Sequence, residues 1–344
     1  MKPPPRQPRR TSKTRYAVAV VVVGGAAVVS GCGRQSIISD KSPQAHGITV
    51  LWWWMLGVAG LVFLGAVAFL VIGFVTRRTP GMPFIGRHEP VAQGLVVLFG
   101  IGIPLGVLVA LFGVSDVYLI RQTAAPAPGT TKLTINVIGH QWWWEVRYEN
   151  GRAVTANEIH IPVRTRVNVI ATTADVIHSF WVPQLNRKVD MIPGQRNRVL
   201  LYADRPGKYR GQCSQYCGLQ HANMAMFVIA QPPSAFRAWL ANESKPAATP
   251  TSANARAGEQ LFMTSQCASC HFIHGTPAQG SVGPDLTHVK SRSTLAAGTI
   301  PNTPKWLADW IHNPQFLKPG TRMPDLGLSW GEVHKVVAYL DGLK

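Results

Sequence analysis

Cys213-Ser-Gln-Tyr-Cys217-Gly-Leu-Gln-His221-Ala-Asn-Met224 places two thiols, an imidazole and a thioether within twelve residues. Soft sulfur and imidazole ligands select copper or zinc over hard cations. A C-x-x-x-C pair alone reads as a disulfide in an exported chain. A His four residues after the second Cys, and a Met three after that, speak against that reading. Zinc has no use for the thioether, whereas a His, Cys and weak Met set serves copper electron-transfer sites. One more imidazole is expected from elsewhere, and His178, in Asp175-Val-Ile-His-Ser-Phe-Trp-Val-Pro183, falls in an expected loop with an apolar surround.

Working outward, short runs of β-forming residues flank the motif: Leu133–Ile138, Trp142–Tyr148, Glu158–Ile161, Arg166–Ile170, Asn197–Tyr202, Gly207–Gly211 and Met224–Ile229. Strands of this length, separated by Gly, Pro and Asn, predict an all-β sandwich over residues 131–241. Loops at one end of such a fold hold a metal site rigidly.

These two stretches, with Gly139-His-Gln-Trp-Trp-Trp144 and Asp190-Met-Ile-Pro-Gly194, resemble subunit II of the haem-copper cytochrome c oxidases over residues 50–230. The resemblance implies a cupredoxin-like domain with a binuclear copper centre. Cys213 and Cys217 are then bridging thiolates, His178 and His221 terminal ligands, Met224 a weak axial ligand and Gln215 a ligand through its backbone carbonyl. Trp142 matches the family tryptophan at the surface that accepts electrons. Position 215 departs from the common pattern, where Glu also binds magnesium, so a magnesium site is not carried over. Glu89, at the inner end of the second span, is the one carboxylate that could serve proton entry; it is read first as a solvated loop acid.

Past the Pro/Ala/Ser/Thr-rich stretch 242–254, read as a semi-flexible linker, comes Cys267-Ala-Ser-Cys270-His271. C-x-x-C-H is the haem c attachment pattern, with both thiols bonded to the haem and the imidazole axial to iron. No second C-x-x-C follows to make a zinc ribbon. Pro319-Gly-Thr-Arg-Met323-Pro resembles the loop that gives class I cytochromes c their sixth ligand, so Met323 is expected there; Met263 lies too close to the attachment motif. Helical apolar spacing in Trp306–Ile311 and Glu332–Leu340 predicts an all-α cytochrome c domain over 255–344. The remaining histidines have no ligand-like partners in sequence and read as surface or core residues.

The N-terminus is an address. Six Lys/Arg and no acid in residues 1–15 precede a short apolar run ending in Val29-Ser-Gly-Cys32. This reads as a signal peptide over 1–31 with a lipobox-like end, making Cys32 a candidate for acylation. A linker over 32–49 follows. Val50–Val75 and Pro90–Ser115 are each 26 residues without a charge, long enough to span a bilayer. Three arginines in the loop between them put that loop on the cytoplasmic side. A transmembrane hairpin over 50–120 in a bacterial cell membrane follows, with both redox domains on the outer, periplasmic face.

Charge bears on partners. Of 34 Lys/Arg against 16 Asp/Glu, residues 131–241 carry 13 against 6 and residues 255–344 carry 8 against 6. Such a copper domain gives a basic soluble cytochrome no electrostatic steering; a tethered haem instead reaches the copper at high effective concentration. Nucleic acid is not a partner. The resemblance implies a caa-type oxidase subunit II relaying electrons from an external donor through haem c and copper to subunit I, which reduces oxygen. A quinol oxidase subunit would lack Cys213 and Cys217, and a nitrous-oxide-type reductase needs a larger catalytic domain. The alternative is a tethered cytochrome lipoprotein with a metal-trafficking or assembly role.

Overall fold

A computed structural model describes residues 35–76, 89–127, 129–148 and 153–344. The expected signal peptide, Cys32 and the arginine loop lie outside these residues. Two helices, α1 (Pro43–Thr76) and α2 (Glu89–Thr123), are long and apolar enough to cross a membrane. Most of their Val, Leu and Phe side chains are exposed, as lipid-facing or subunit-facing surfaces require. Their extramembrane ends meet, with Gln122 Nε2 donating to Pro43 O at 3.0 Å. Glu89 is the first residue of α2, exposed, with Gln93 Nε2 3.4 Å from its carboxylate.

The linker expected over 32–49 is, in its described part, packed rather than free. Lys41 N donates to Gln184 O (2.9 Å), Asp204 N donates to Lys41 O (3.0 Å), and α1 already begins at Pro43. Both ends of the hairpin are thus seated on the next domain, because Arg187 Nε also donates to Thr123 O at 3.1 Å.

That domain is the expected sandwich. Ten strands run β1 (Leu133–His140), β2 (Trp143–Tyr148), β3 (Val154–Ala156), β4 (Glu158–Pro162), β5 (Val167–Thr173), β6 (His178–Phe180), β7 (Val189–Met191), β8 (Asn197–Leu201), β9 (Gly207–Gln212) and β10 (Ala225–Gln231). One sheet has the order β3-β2-β1-β5-β8 and the other β4-β10-β9, with β6 and β7 paired beside them. Ile135 and Val137 of β1, Val167 and Val169 of β5, Ile159 and Ile161 of β4 and Val228 of β10 meet in the core. Each such aliphatic side chain contributes about 1.5–3 kcal/mol by leaving water. Helix α3 (Pro233–Glu243) closes one side, with Phe236 and Trp239 packed on Tyr148. His178, expected in a loop, instead opens strand β6; its backbone pairs with Met191, which fixes the ring more firmly than a loop would.

The C-terminal domain holds α4 (Ala253–Thr264), α5 (Cys267–Cys270), the two-stranded turn β11 (Thr294–Leu295) and β12 (Ile300–Pro301), α6 (Pro304–His312), α7 (Pro314–Leu317) and α8 (Trp330–Leu340). Ser252, Thr303 and Ser329 cap α4, α6 and α8, the last in a capping box with Glu332. Helices α4 and α8 cross at Gly258, where a Cβ would come within 1.9 Å of Lys335 O. No side chain larger than hydrogen fits that crossing.

The segment 242–254, expected as a semi-flexible linker, is instead packed in part. Lys245 O lies 3.1 Å from His288 Nε2 and Ala247 N donates to His274 O at 2.9 Å, so the segment lies along the helical domain. The domain is also bonded to the sandwich: Ala225 N donates to Ala297 O (3.0 Å), Ser293 N to Glu158 Oε1 (2.9 Å) and Arg292 Nε to Thr155 Oγ1 (3.3 Å).

Candidate metal centre and haem pocket

The strand register of β6, the turn after β9 and the 3-10 turn His221–Asn223 bring the candidate copper residues together. Cys213 Sγ and Cys217 Sγ are 3.8 Å apart. Each thiol has its own imidazole: His178 Nδ1 is 3.8 Å from Cys213 Sγ, and His221 Nδ1 is 3.6 Å from Cys217 Sγ. Met224 Sδ is 3.8 Å from Cys217 Sγ, and Gln215 O is 3.2 Å from Cys213 Sγ. His178, Cys213 and Cys217 are buried, with their ligand atoms all within 4.8 Å of one another. The donor set is soft and largely dry, which suits copper. The contact between the thiols favours one thiolate and one thiol: it draws the Cys213 thiol well below the usual thiol range and pushes Cys217 up. A metal ion bound here would displace the remaining thiol proton.

Two supports were not legible from the sequence. Asp175 Oδ1 accepts a hydrogen bond from His178 Nε2 at 2.9 Å, leaving Nδ1 to face the thiols. Burial opposes the charge of Asp175, yet the bonds from His178, Gln141 N and Val176 N hold its carboxyl at about 2. Gly139 lets the ring in, since a Cβ there would lie 2.8 Å from His178 Cδ2. Nothing in the spacing of Gly139 or Asp175 announces either role; both depend on strands approaching in space.

The three consecutive tryptophans separate. Trp144 is fully buried in the core. Trp143 stacks on His140 at 4.3 Å. Trp142 is half-buried, and its Nε1 donates to Cys217 O at 3.0 Å, the same carbonyl that accepts Gln141 Nε2 at 2.9 Å. Gly218, at φ +110°, makes room: a Cβ there would come 3.0 Å from the Trp142 ring.

The expected haem residues line one cavity of about 190 Å³. Cys267, Cys270, His271 and Met323 all border it, with Leu295, Leu307 and Ile311 among its apolar walls; Met263 does not. His271 Nδ1 lies 2.8 Å from Pro284 O, so Nδ1–H donates and Nε2 is free for iron. Burial lowers the His271 pKa, which keeps the ring neutral as a ligand must be. A Cβ at Gly283 would press within 2.6 Å of the imidazole. Two thiols, a free imidazole nitrogen, a thioether and an apolar cavity fit a covalent c-type haem. The same cavity is walled on the sandwich side by His140, Gln141, Trp142 and Trp143.

Residues 152–231 match the family described as cytochrome c oxidase subunit II, periplasmic domain, and residues 255–344 match cytochrome c. Cytochrome c oxidase subunit 2 of Alkalihalophilus pseudofirmus is 33% identical over 323 residues, covering 92% of this chain and 94% of that one. The chain belongs to the cytochrome c oxidase subunit II family. Subunit 2 of Bacillus subtilis is 26% identical over 340 residues, again covering 92% and 94%. The periplasmic domain of subunit II of Bradyrhizobium japonicum, a solved structure, is 30% identical; the match covers 35% of this chain and 96% of that one, with a TM-score of 0.32. As a subunit II this chain is part of a haem-copper oxidase, with a cupredoxin-like domain and a cytochrome c domain in one polypeptide; the family implies copper and haem c in general.

Proposed function

We propose that this chain is the electron-transfer subunit of a caa-type oxidase. It relays electrons from an external donor, through a haem held by Cys267, Cys270, His271 and Met323, to a binuclear copper centre held by His178, Cys213, Gln215 O, Cys217, His221 and Met224. Subunit I, carrying the oxygen-reducing centre, receives them. When bound, the haem iron would supply one-electron uptake and release, and the copper held by the two thiols would accept that electron and pass it on. The alternative of a metal-trafficking lipoprotein is not favoured, since it has no need of a haem pocket walled by the copper domain.

One observation carries the reading. Trp142 borders the haem cavity and its indole N–H bonds the carbonyl of Cys217, so a single side chain joins the two sites. The distribution of ligands supports two ions over one: His178 stands beside Cys213 and His221 beside Cys217, rather than both converging on one point. Asp175 and Gly139 hold the His178 ring at a fixed angle, and the burial of Cys213 and Cys217 keeps water from both thiols. Burial and orientation of this kind keep ligand positions the same in both redox states. The two candidate spans support a membrane location, and we assign the subunit to a bacterial cell membrane with both domains on the outer face.

The test is Cys217→Ser in the chain assembled with its oxidase partners. Donor should still reduce the c-type haem, while oxygen consumption falls by at least 100-fold. Undiminished oxygen consumption would refute the relay.

A further inference from the structure

Lys318 is a lysine almost without solvent, 2% exposed, although Phe316 two residues earlier is 82% exposed. Its Nζ donates to three backbone carbonyls: Trp142 O at 3.0 Å, Asn223 O at 2.8 Å and Ala296 O at 3.1 Å. No carboxylate pairs with it among the described residues. An ammonium has three N–H donors, and here all three are used. Burying a cation without a counter-ion is costly, and burial pulls its pKa down to about 7. Packing alone would be served better by Leu or Met.

The three carbonyls are not an arbitrary set. Trp142 joins the two sites; Asn223 lies in the turn between His221 and Met224; Ala296 lies in the β11–β12 turn of the cytochrome domain. Lys318 itself stands five residues before Met323, in the same loop. One ammonium thus ties the loop bearing the expected sixth haem ligand to the copper-ligand turn and to the backbone of Trp142. Neighbouring contacts work the same seam: Gln220 Nε2 donates to Pro319 O (2.5 Å), and Arg322 bonds Gln141 Oε1 and stands 4.0 Å from Asp175.

We infer that Lys318 is a positioning residue for electron transfer: its three hydrogen bonds clamp the haem loop onto Trp142, so the haem-to-copper distance is set by a fixed interface rather than by diffusion on a tether. The inference rests on the relay proposed above. The transferred electron leaves ferrous haem, which becomes ferric, and reduces the oxidised copper pair by one electron; Lys318 exchanges neither.

The experiment uses the full chain in detergent, loaded with haem and copper, as wild type, Lys318→Met and Lys318→Gln. Met keeps the length and volume without donors, and Gln keeps two N–H donors. Two readouts are taken. Amide hydrogen exchange is followed at Ala225 and Ser293, whose N–H groups bond across the interface. The rate of the single electron transfer after photoreduction of the haem is followed together with its dependence on solvent viscosity. We expect at least tenfold faster exchange at both amides in Lys318→Met, a smaller increase in Lys318→Gln, and transfer that is at least tenfold slower and newly viscosity-dependent. The copper bands and the Met-to-iron band should persist. Unchanged exchange and transfer in both variants would overturn the inference, as would loss of either centre's spectrum in both. If wild type forms no copper pair, the relay fails and the electron-transfer role of Lys318 with it, whereas the exchange readout still decides whether Lys318 clamps the interface.

Discussion

Removing the Asp175 carboxylate should loosen the metal without removing a ligand. In Asp175→Ala the Nε2–H of His178, a side chain with 0% exposure, loses its acceptor at 2.9 Å; Gln141 N and Val176 N each lose one at 2.7 Å. The ring is then free to rotate its Nδ1 away from Cys213 or to take the other tautomer. Loss of a partner that orients a ligating His costs about 10–100-fold in metal affinity, or roughly 1.4–2.7 kcal/mol. Asp175→Asn should cost less, because an amide oxygen still accepts from Nε2, while its NH2 group cannot accept from Gln141 N. The assay is competition of the full chain against a graded series of copper chelators, read by the near-infrared copper bands. Equal copper retention in wild type and Asp175→Ala would refute the reasoning, since His178 would then be held by its strand alone.

Other consequences follow from the same geometry. Gly283→Ala should displace the His271 ring, which a Cβ approaches to 2.6 Å, and weaken the low-spin haem spectrum while the covalent attachment survives; an unchanged spectrum would count against Gly283 as the cradle. Gly258→Ala should destabilise the cytochrome domain by about 1–3 kcal/mol or more through overpacking against Lys335 O, measured as a lower thermal midpoint of the haem absorbance. His160, stacked on Trp239 at 3.9 Å, is held down to about 4 by burial. As pH falls from about 6.5 to about 4 the unfolded chain gains a proton there that the folded chain does not, so about 3 kcal/mol of stability is lost in that window. His160→Phe should flatten this acid limb in unfolding followed by tryptophan fluorescence, and an unaltered slope would argue against it.

The candidate copper and haem residues were legible because their chemistry is written at short range. Cys213, Cys217, His221 and Met224 lie within one turn-rich loop, and Cys267, Cys270 and His271 are contiguous or nearly so. His178 was found by residue type and apolar surround, but its place in a strand was not, since β6 has three residues and too little alternation to read. Strands β3 and β7 were missed for the same reason. What spacing could not reveal is what three-dimensional approach creates: Gly139 under an imidazole, Asp175 behind it, and Lys318 shared by three loops from two domains. The Pro/Ala/Ser/Thr-rich composition of 242–254 suggested a semi-flexible linker, yet composition reports only the chain's own stiffness. The hydrogen bonds of Lys245 and Ala247 to His288 and His274 come from the surface the segment lies on.

The central claim, a haem and a copper pair joined through Trp142 in one chain, is tested most directly by the visible and near-infrared spectrum of the full chain. It would be matured with haem, supplied with copper and washed with chelator. The account predicts a low-spin c-type haem together with the oxidised bands of a mixed-valence copper pair that resist the wash. A haem signal with no copper bands would contradict it and leave a cytochrome docked on an inert sandwich.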